Sequence, residues 1–219
     1  AFHEDMCTAI FSLEMSKEQL VNRLFSLESR VDAQVQELMK KLMDVDFGNP
    51  SSRHQKGVVA EGYIKEARQK IAATLKVDPK ELIITSGGTE SNNMALIGTA
   101  LAAKRKGNHI ITTAVEHPSV KATASFLEEQ GFRITFLSVD SRGQISLEDL
   151  KEALTPDTIL VSIMYVNNEI GTIQPVEEAA KLVHATVPGA VFHVDAIQAY
   201  GKVMIRPKQQ GIDLLSVSS

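Results

Sequence analysis

The feature that most constrains the fold of this chain is a series of short apolar, β-branched runs at residues 82–85, 109–114, 133–139, 159–166, 191–194 and 214–217. The run Ile159-Leu160-Val161-Ser162-Ile163-Met164 is the plainest. A strand with one face in water alternates apolar and polar residues, whereas these runs are continuously apolar and suit a sheet buried on both faces. Amphipathic stretches at 58–75, 92–106, 120–130, 147–153 and 176–186 separate them, with turn signals at Gly131 and Pro188-Gly189. Strands alternating with helices predict an α/β fold with a largely parallel sheet covered by helices on both faces.

In an open sheet of this kind ligands collect beyond the carboxyl ends of the strands. Four polar clusters are expected there, at 85–91, 115–118, 167–171 and 195–198. The first third reads differently, with a short strand over 8–13, a helix over 16–29 that Ser16 could cap, and a second helix over 35–43. No internal repeat or low-complexity tract stands out.

Length and composition bound the function classes. A chain of 219 residues, 43% of them hydrophobic, can bury one substantial core, as one domain or a domain with an appendage. The formal charge of −4 comes from interspersed acids and bases with no basic block, so nucleic acid is not expected as a partner. Cys7 is the single cysteine, which excludes an intrachain disulfide framework, argues against a Cys/His zinc cluster and suits a reducing cytoplasm; no metal site is expected. The apolar run at 8–13 is too short for a membrane span or a signal-peptide core, so a soluble protein without a membrane partner is expected.

Each cluster has a chemical and an ordinary reading. Thr85-Ser86-Gly87-Gly88-Thr89-Glu90-Ser91 lies between a strand and a helix, where free N–H groups and the helix dipole form a phosphate cup, or where a tight turn simply leads into a capped helix. Asp195 directly follows an apolar run and there needs a cationic partner, for which a protonated pyridine nitrogen would serve; a helix N-cap is the alternative. His117, in Val115-Glu116-His117-Pro118, could stack on a planar ring and exchange protons, or be structural. Asn168 and Gln198 offer neutral amides suited to a phenolic oxygen, or loop and cap roles.

Together the clusters carry a resemblance. From about residue 35 to Ser219 the chain resembles the cysteine desulfurases, pyridoxal-phosphate enzymes of the class V aminotransferase group. The matching strings are Phe47-Gly48-Asn49-Pro50-Ser51-Ser52 with His54, the 85–93 loop, Glu116-His117, Asn167-Asn168-Glu169-Ile170-Gly171 with Gln174, and 193–198 followed by Gly201-Lys202. The resemblance implies the large domain of a fold-type I pyridoxal-phosphate transferase. It places Gly88, Thr89 and Ser218 at the cofactor phosphate, His117 on the ring as the catalytic histidine, Asp195 at the pyridine nitrogen, and Asn168 and Gln198 at the phenolic oxygen. It further implies L-cysteine as substrate, alanine and an enzyme persulfide as products, a homodimer, and sulfur-acceptor proteins serving iron–sulfur clusters or thiolated products.

The same pattern puts the lysine that bonds the cofactor two positions beyond Ser219, and the nucleophilic cysteine and small domain further on. Cys7 and Lys202 match neither residue. The 219 residues by themselves are therefore expected to be inactive, or to act as a noncatalytic binding or dimerisation module. The family's usual opening Asp-Asn-Ala-Ala-Thr-Thr string does not occur before residue 35. Residues of about 8–34 instead resemble a fragment of bacterial replicative helicases of the hexameric RecA-like type, in which the glutamate matching Glu14 is implicated in ATP hydrolysis. No Gly-rich phosphate loop ending in Lys-Ser/Thr is present, so ATPase activity is the less favoured alternative. The expected division is a helicase-like strand and helix at 1–34 and a partial cofactor-binding domain at 35–219.

Overall fold

A computed structural model describes residues 8–12 and 33–218. Glu14 and the helix expected over 16–29 lie outside the described residues. The described residues form two compact units, 8–12 with 75–218, and 33–74.

In the larger unit seven strands, β1 Thr8–Ser12, β2 Leu82–Thr85, β3 His109–Thr113, β4 Arg133–Leu137, β5 Thr158–Met164, β6 Val191–Asp195 and β7 Leu214–Ser218, form one sheet of order β2-β1-β7-β6-β5-β3-β4. All six pairings are parallel. The helices are α3 Gly88–Ala103, α4 Pro118–Glu129, α5 Leu147–Ala153, α6 Val176–Thr186 and the short α7 Pro207–Gln210. Every residue of β3, β5 and β7 is buried. Because successive side chains point to opposite faces, unbroken burial along β5 means that both faces are covered. Helices α3 and α4 pack on each other, as do α5 and α6. The edge strands depart from that rule: Ile83 and Ile84 of β2 and Phe136 of β4 are exposed.

The core lies between α3, α4 and the sheet, where Leu96, Ile110, Val120, Leu127 and Leu160 are fully buried and pack in one cluster. Burying each such side chain contributes about 1.5–3 kcal/mol. Local signals start and stop the helices. Pro118 occupies the first turn of α4, Ser146 caps α5 by accepting from Asp149 N at 3.2 Å, and Glu177 and Glu178 stand in the first turn of α6. Gly211, at φ 71°, ends α7 in the left-handed conformation that a side chain would disfavour.

The expected strands are all present with ends moved by one or two residues. One helix differs in a way that matters: α3 begins at Gly88, four residues before the expected 92. The Ser86 N–H donates to Glu90 Oε2 at 2.5 Å and the Thr85 and Ser91 hydroxyls meet at 2.7 Å, which closes the strand-to-helix turn early. Gly88 and Thr89 therefore form the helix's first turn.

The smaller unit holds α1 Ala33–Asp44 and α2, which begins at Gln55 and runs to Leu75. The Tyr63 hydroxyl donates to Asp46 Oδ2 at 2.6 Å, and Lys41 Nζ lies 3.4 Å from the same oxygen. Lys56 Nζ, in the first turn of α2, sits 3.6 Å from the centre of the ring of Phe47 in the connecting segment. The Gly57 N–H donates to His54 O at 2.9 Å and, at 3.2 Å, to His54 Nδ1.

Candidate active site at the carboxyl edge of the sheet

The parallel sheet sends every strand's carboxyl end to one edge, and the sequence-predicted residues lie along it. β1 sets the row at one side: Ser12 is the register partner of both Thr85 and Ser218, so the turn entering α3 and the end of β7 flank the same strand. Gly88 is buried and Thr89 exposed at the start of α3. The preceding N-cap residue, Gly87, makes no side-chain cap, so the first N–H groups of α3 are not satisfied by a local side chain. Ser218 is buried at the end of β7.

Asp195 ends β6 and is 5% exposed. Its Oδ1 accepts from Ile197 N at 3.1 Å and its Oδ2 from Asn92 Nδ2 at 2.8 Å. Burial pushes its carboxyl above the usual range, while the two N–H donors and the nearby His117 pull it back. No lysine or arginine pairs with it among the described residues. An acid held this way, with two donors and no cation, fits a cationic ring nitrogen.

His117 stands exposed at the N-cap of α4, its Nδ1 accepting from Ser119 N at 3.1 Å and lying 2.8 Å from Ser119 Oγ. Ser119 Oγ in turn accepts from Asn92 Nδ2 at 3.0 Å. One amide on α3 thus connects Asp195 with the His117 support. His117 therefore has a structural role as the helix cap through Nδ1, and Nε2 has no part in that cap.

Beneath His117, Glu116 is buried, with Oε1 accepting from Thr113 Oγ1 at 2.9 Å and from Met164 N at 2.8 Å. Its Oε2 is buried with no hydrogen-bond partner among the described residues. Burial first, and then the neighbouring Asp195 charge, raise its carboxyl to about 8, against the opposing hydrogen bonds from Met164 N and Thr113. His193 is a buried neutral imidazole, lowered to about 3 by burial, that hydrogen-bonds Ser162 at 2.9 Å and Ser216 at 3.0 Å across β5, β6 and β7.

The two amides stand apart. Asn168 is exposed in the loop after β5, and Gln198 is half-buried with Oε1 3.4 Å from Lys202 Nζ. Among the described residues no hydrogen bond joins either to Asp195 or His117. The neighbouring Asn167 shapes that loop, donating to Val115 O at 2.9 Å and accepting from the Glu169 and Ile170 N–H groups. Asn92 and Ser119 were not singled out from sequence, although both lie in or beside strings that matched the family pattern; only folding shows that the amide and hydroxyl turn inward. Among the described residues no cluster of three or more His, Cys, Asp or Glu is placed to hold a metal, and no helix is long and apolar enough to cross a membrane.

Comparison with known proteins places the chain in a family. Residues 28–219 match the family model described as Aminotransferase class-V, and the chain belongs to that family. It is 50% identical over 190 residues to the "Putative cysteine desulfurase IscS 1" of Bacillus subtilis (strain 168), covering 87% of this chain and 50% of that protein. Among solved structures, a "NIFS-LIKE PROTEIN" superposes with a TM-score of 0.83 at 40% identity, over 87% of this chain and 52% of that one. "SspA in complex with cysteine" gives 0.81 at 38%, over 89% and 55%. The chain thus spans about half the length of the relatives it matches.

Proposed function

We propose that this chain is the cofactor-binding half of a pyridoxal-phosphate-dependent cysteine desulfurase, a sulfurtransferase that removes sulfur from L-cysteine to leave alanine. The observation that carries the proposal is Asp195, a buried carboxyl at the sheet's mouth held by Ile197 N–H and Asn92 with no cation paired to it among the described residues. The substrate class comes from the relatives named as cysteine desulfurases and from the structural neighbour solved in complex with cysteine.

Each residue has a definite task in this reading. The first-turn N–H groups of α3, with the Thr89 and Ser218 hydroxyls, bind the phosphate; the helix dipole favours its charge. Asp195 holds the ring nitrogen protonated, His117 stacks on the ring, and Asn168 and Gln198 orient its phenolic oxygen. When bound, pyridoxal phosphate supplies the electron sink for chemistry at the amino acid's carbon atoms. The exposure of Asn168 and Thr89 leaves both free to meet a ligand from the solvent side.

A homodimer, sulfur-acceptor proteins and a cytoplasmic setting accompany this reading, and residues 8–12 of the stretch expected to stand apart as 1–34 supply β1 to the sheet of the cofactor-binding region. Titration of the 219-residue chain with pyridoxal 5′-phosphate, followed by absorbance and by quenching of protein fluorescence, tests the proposal. Saturable binding that inorganic phosphate weakens is expected; absence of saturable binding by a folded chain would overturn it.

A further inference from the structure

Asn92 lies on α3, is fully buried, and uses both hydrogens of its amide: one to Asp195 Oδ2 at 2.8 Å, the other to Ser119 Oγ at 3.0 Å. Its orientation follows from those partners, since the flipped amide would set Oδ1 against a carboxylate oxygen. Its Oδ1 has no partner among the described residues, so the residue acts at this place through its donors alone.

The remaining contacts agree on one direction. Ser119 Oγ receives the Asn92 hydrogen, so its own proton is free to go to His117 Nδ1, 2.8 Å away. The Ser119 main-chain N–H points at the same Nδ1 from 3.1 Å. Two donors converge on that nitrogen, and a neutral imidazole can accept there only if its proton is on Nε2.

We propose that Asn92 is a positioning residue that acts on two groups at once, holding the Asp195 carboxylate directly and, through Ser119, fixing His117 as the Nε2–H tautomer. The proposal rests on the cofactor reading for its meaning, because it makes one amide set both the group facing the ring nitrogen and the group facing the ring plane. Asp195 and His117 come from different strand ends, and the Asn92 amide bridges them, directly to Asp195 and through Ser119 to His117. The titratable groups facing Asp195 are Glu116 and His117 from the β3–α4 connection; α3 contributes the neutral Asn92, and Met164 and Ser216 are its register partners on β5 and β7.

The test uses the cofactor-free 219-residue chain with 15N-labelled histidine and 13C-labelled aspartate, His117 being assigned with His117→Gln and Asp195 with Asp195→Asn. In the wild type, long-range 1H–15N spectra are expected to show the Nε2–H pattern for His117. Asn92→Ala is expected to raise the Nδ1–H population severalfold and to move the Asp195 carboxyl titration to higher pH, because a donor to its ionised form is lost. Ser119→Ala, a smaller change that serves if Asn92→Ala fails to fold, should loosen the His117 tautomer while leaving the Asp195 titration at its wild-type position.

A wild-type His117 protonated on Nδ1 would overturn the proposal. So would an Asn92→Ala chain in which only one of the two signals moves, or a folded Ser119→Ala chain with an unchanged His117 spectrum. These spectra need no cofactor, so they decide the inference even if pyridoxal 5′-phosphate fails to bind and the functional reading falls.

Discussion

The Glu116 carboxyl accepts the Met164 N–H at 2.8 Å, and Met164 is the register partner of Asp195 across the β5–β6 pairing. The acid just before His117 thereby ties the end of β3 to the strand beside Asp195. With Oε2 buried and unpartnered, ionising Glu116 is costly, and Asp195 nearby adds to the cost.

That cost has a sign with pH. Glu116 is raised from 4.5 to about 8, so the folded state holds its proton more tightly than the unfolded state does. Its contribution to stability is complete below the unfolded value and is lost as pH rises through about 8. Glu116→Gln keeps the shape and an acceptor but cannot ionise. The stability difference, mutant minus wild type, should therefore shift in the mutant's favour between pH 4.5 and 8, by on the order of a few kcal/mol. Urea unfolding at pH 5, 6.5 and 8 measures it, and a difference that does not change with pH would refute the neutral acid.

Asp195 and Lys202 give a contrast at the site. The aspartate is buried at the end of β6, whereas Lys202 is exposed and its Nζ stands 3.4 Å from Gln198 Oε1. Asp195→Ala is expected to weaken pyridoxal 5′-phosphate binding by about tenfold or more, a loss of about 1.4 kcal/mol. Lys202→Ala should change it by less than about twofold, as exposed charges usually do. Equal effects in the binding titration would remove Asp195 from the ring nitrogen.

Much of this was legible in the sequence because the signal was local. The run at Ile159–Met164 specified a strand covered on both faces, and β5 is buried throughout. The Gly87-Gly88 pair and the Val115–Pro118 segment marked the exits of β2 and β3. Two things were not legible. Which side chains face each other depends on long-range register, so neither the Asn92 bridge, 103 residues from Asp195, nor the Glu116 bond, 48 residues from Met164, had a local mark. The place of β1 was hidden for the same reason: a strand at 8–13 was expected, but its seat between β2 and β7 is fixed only by partners far along the chain.

The position of β1 makes a prediction about its backbone. Ile10 pairs with Ile83 on one side and Ser216 on the other, so β1 is interior to the sheet and is the sole link of β2 to β7 in the strand order. A proline at an interior position removes an N–H from the ladder and is poorly accommodated. Ile10→Pro should destabilise the sheet at β1, because it removes a ladder hydrogen bond from an interior strand. Hydrogen exchange should then show amides at 82–85 losing protection well before those of β5 and β6. Unchanged protection of β2 would place β1 elsewhere.

Gly57 tests the smaller unit separately. A Cβ there would meet Asn49 O at 2.8 Å and Ser52 O closer still, so the helix start and the Phe47–Ser52 segment approach too closely for any side chain. Both contacts are main-chain oxygens, which cannot swing aside as a flexible side chain would. Relief requires the segment to move off α2, which would break the Gly57 N–H bonds to His54 O and His54 Nδ1. Gly57→Ala should destabilise the unit by about 1–3 kcal/mol despite alanine's better helix propensity. Gly62, further along α2, has nothing within 4 Å of a built Cβ, and Gly62→Ala should be neutral or stabilising by up to about 1 kcal/mol. Measured side by side by denaturant unfolding, Gly57→Ala should be clearly the less stable of the two; a stabilising Gly57→Ala would mean that the segment does not pack against the helix start as described.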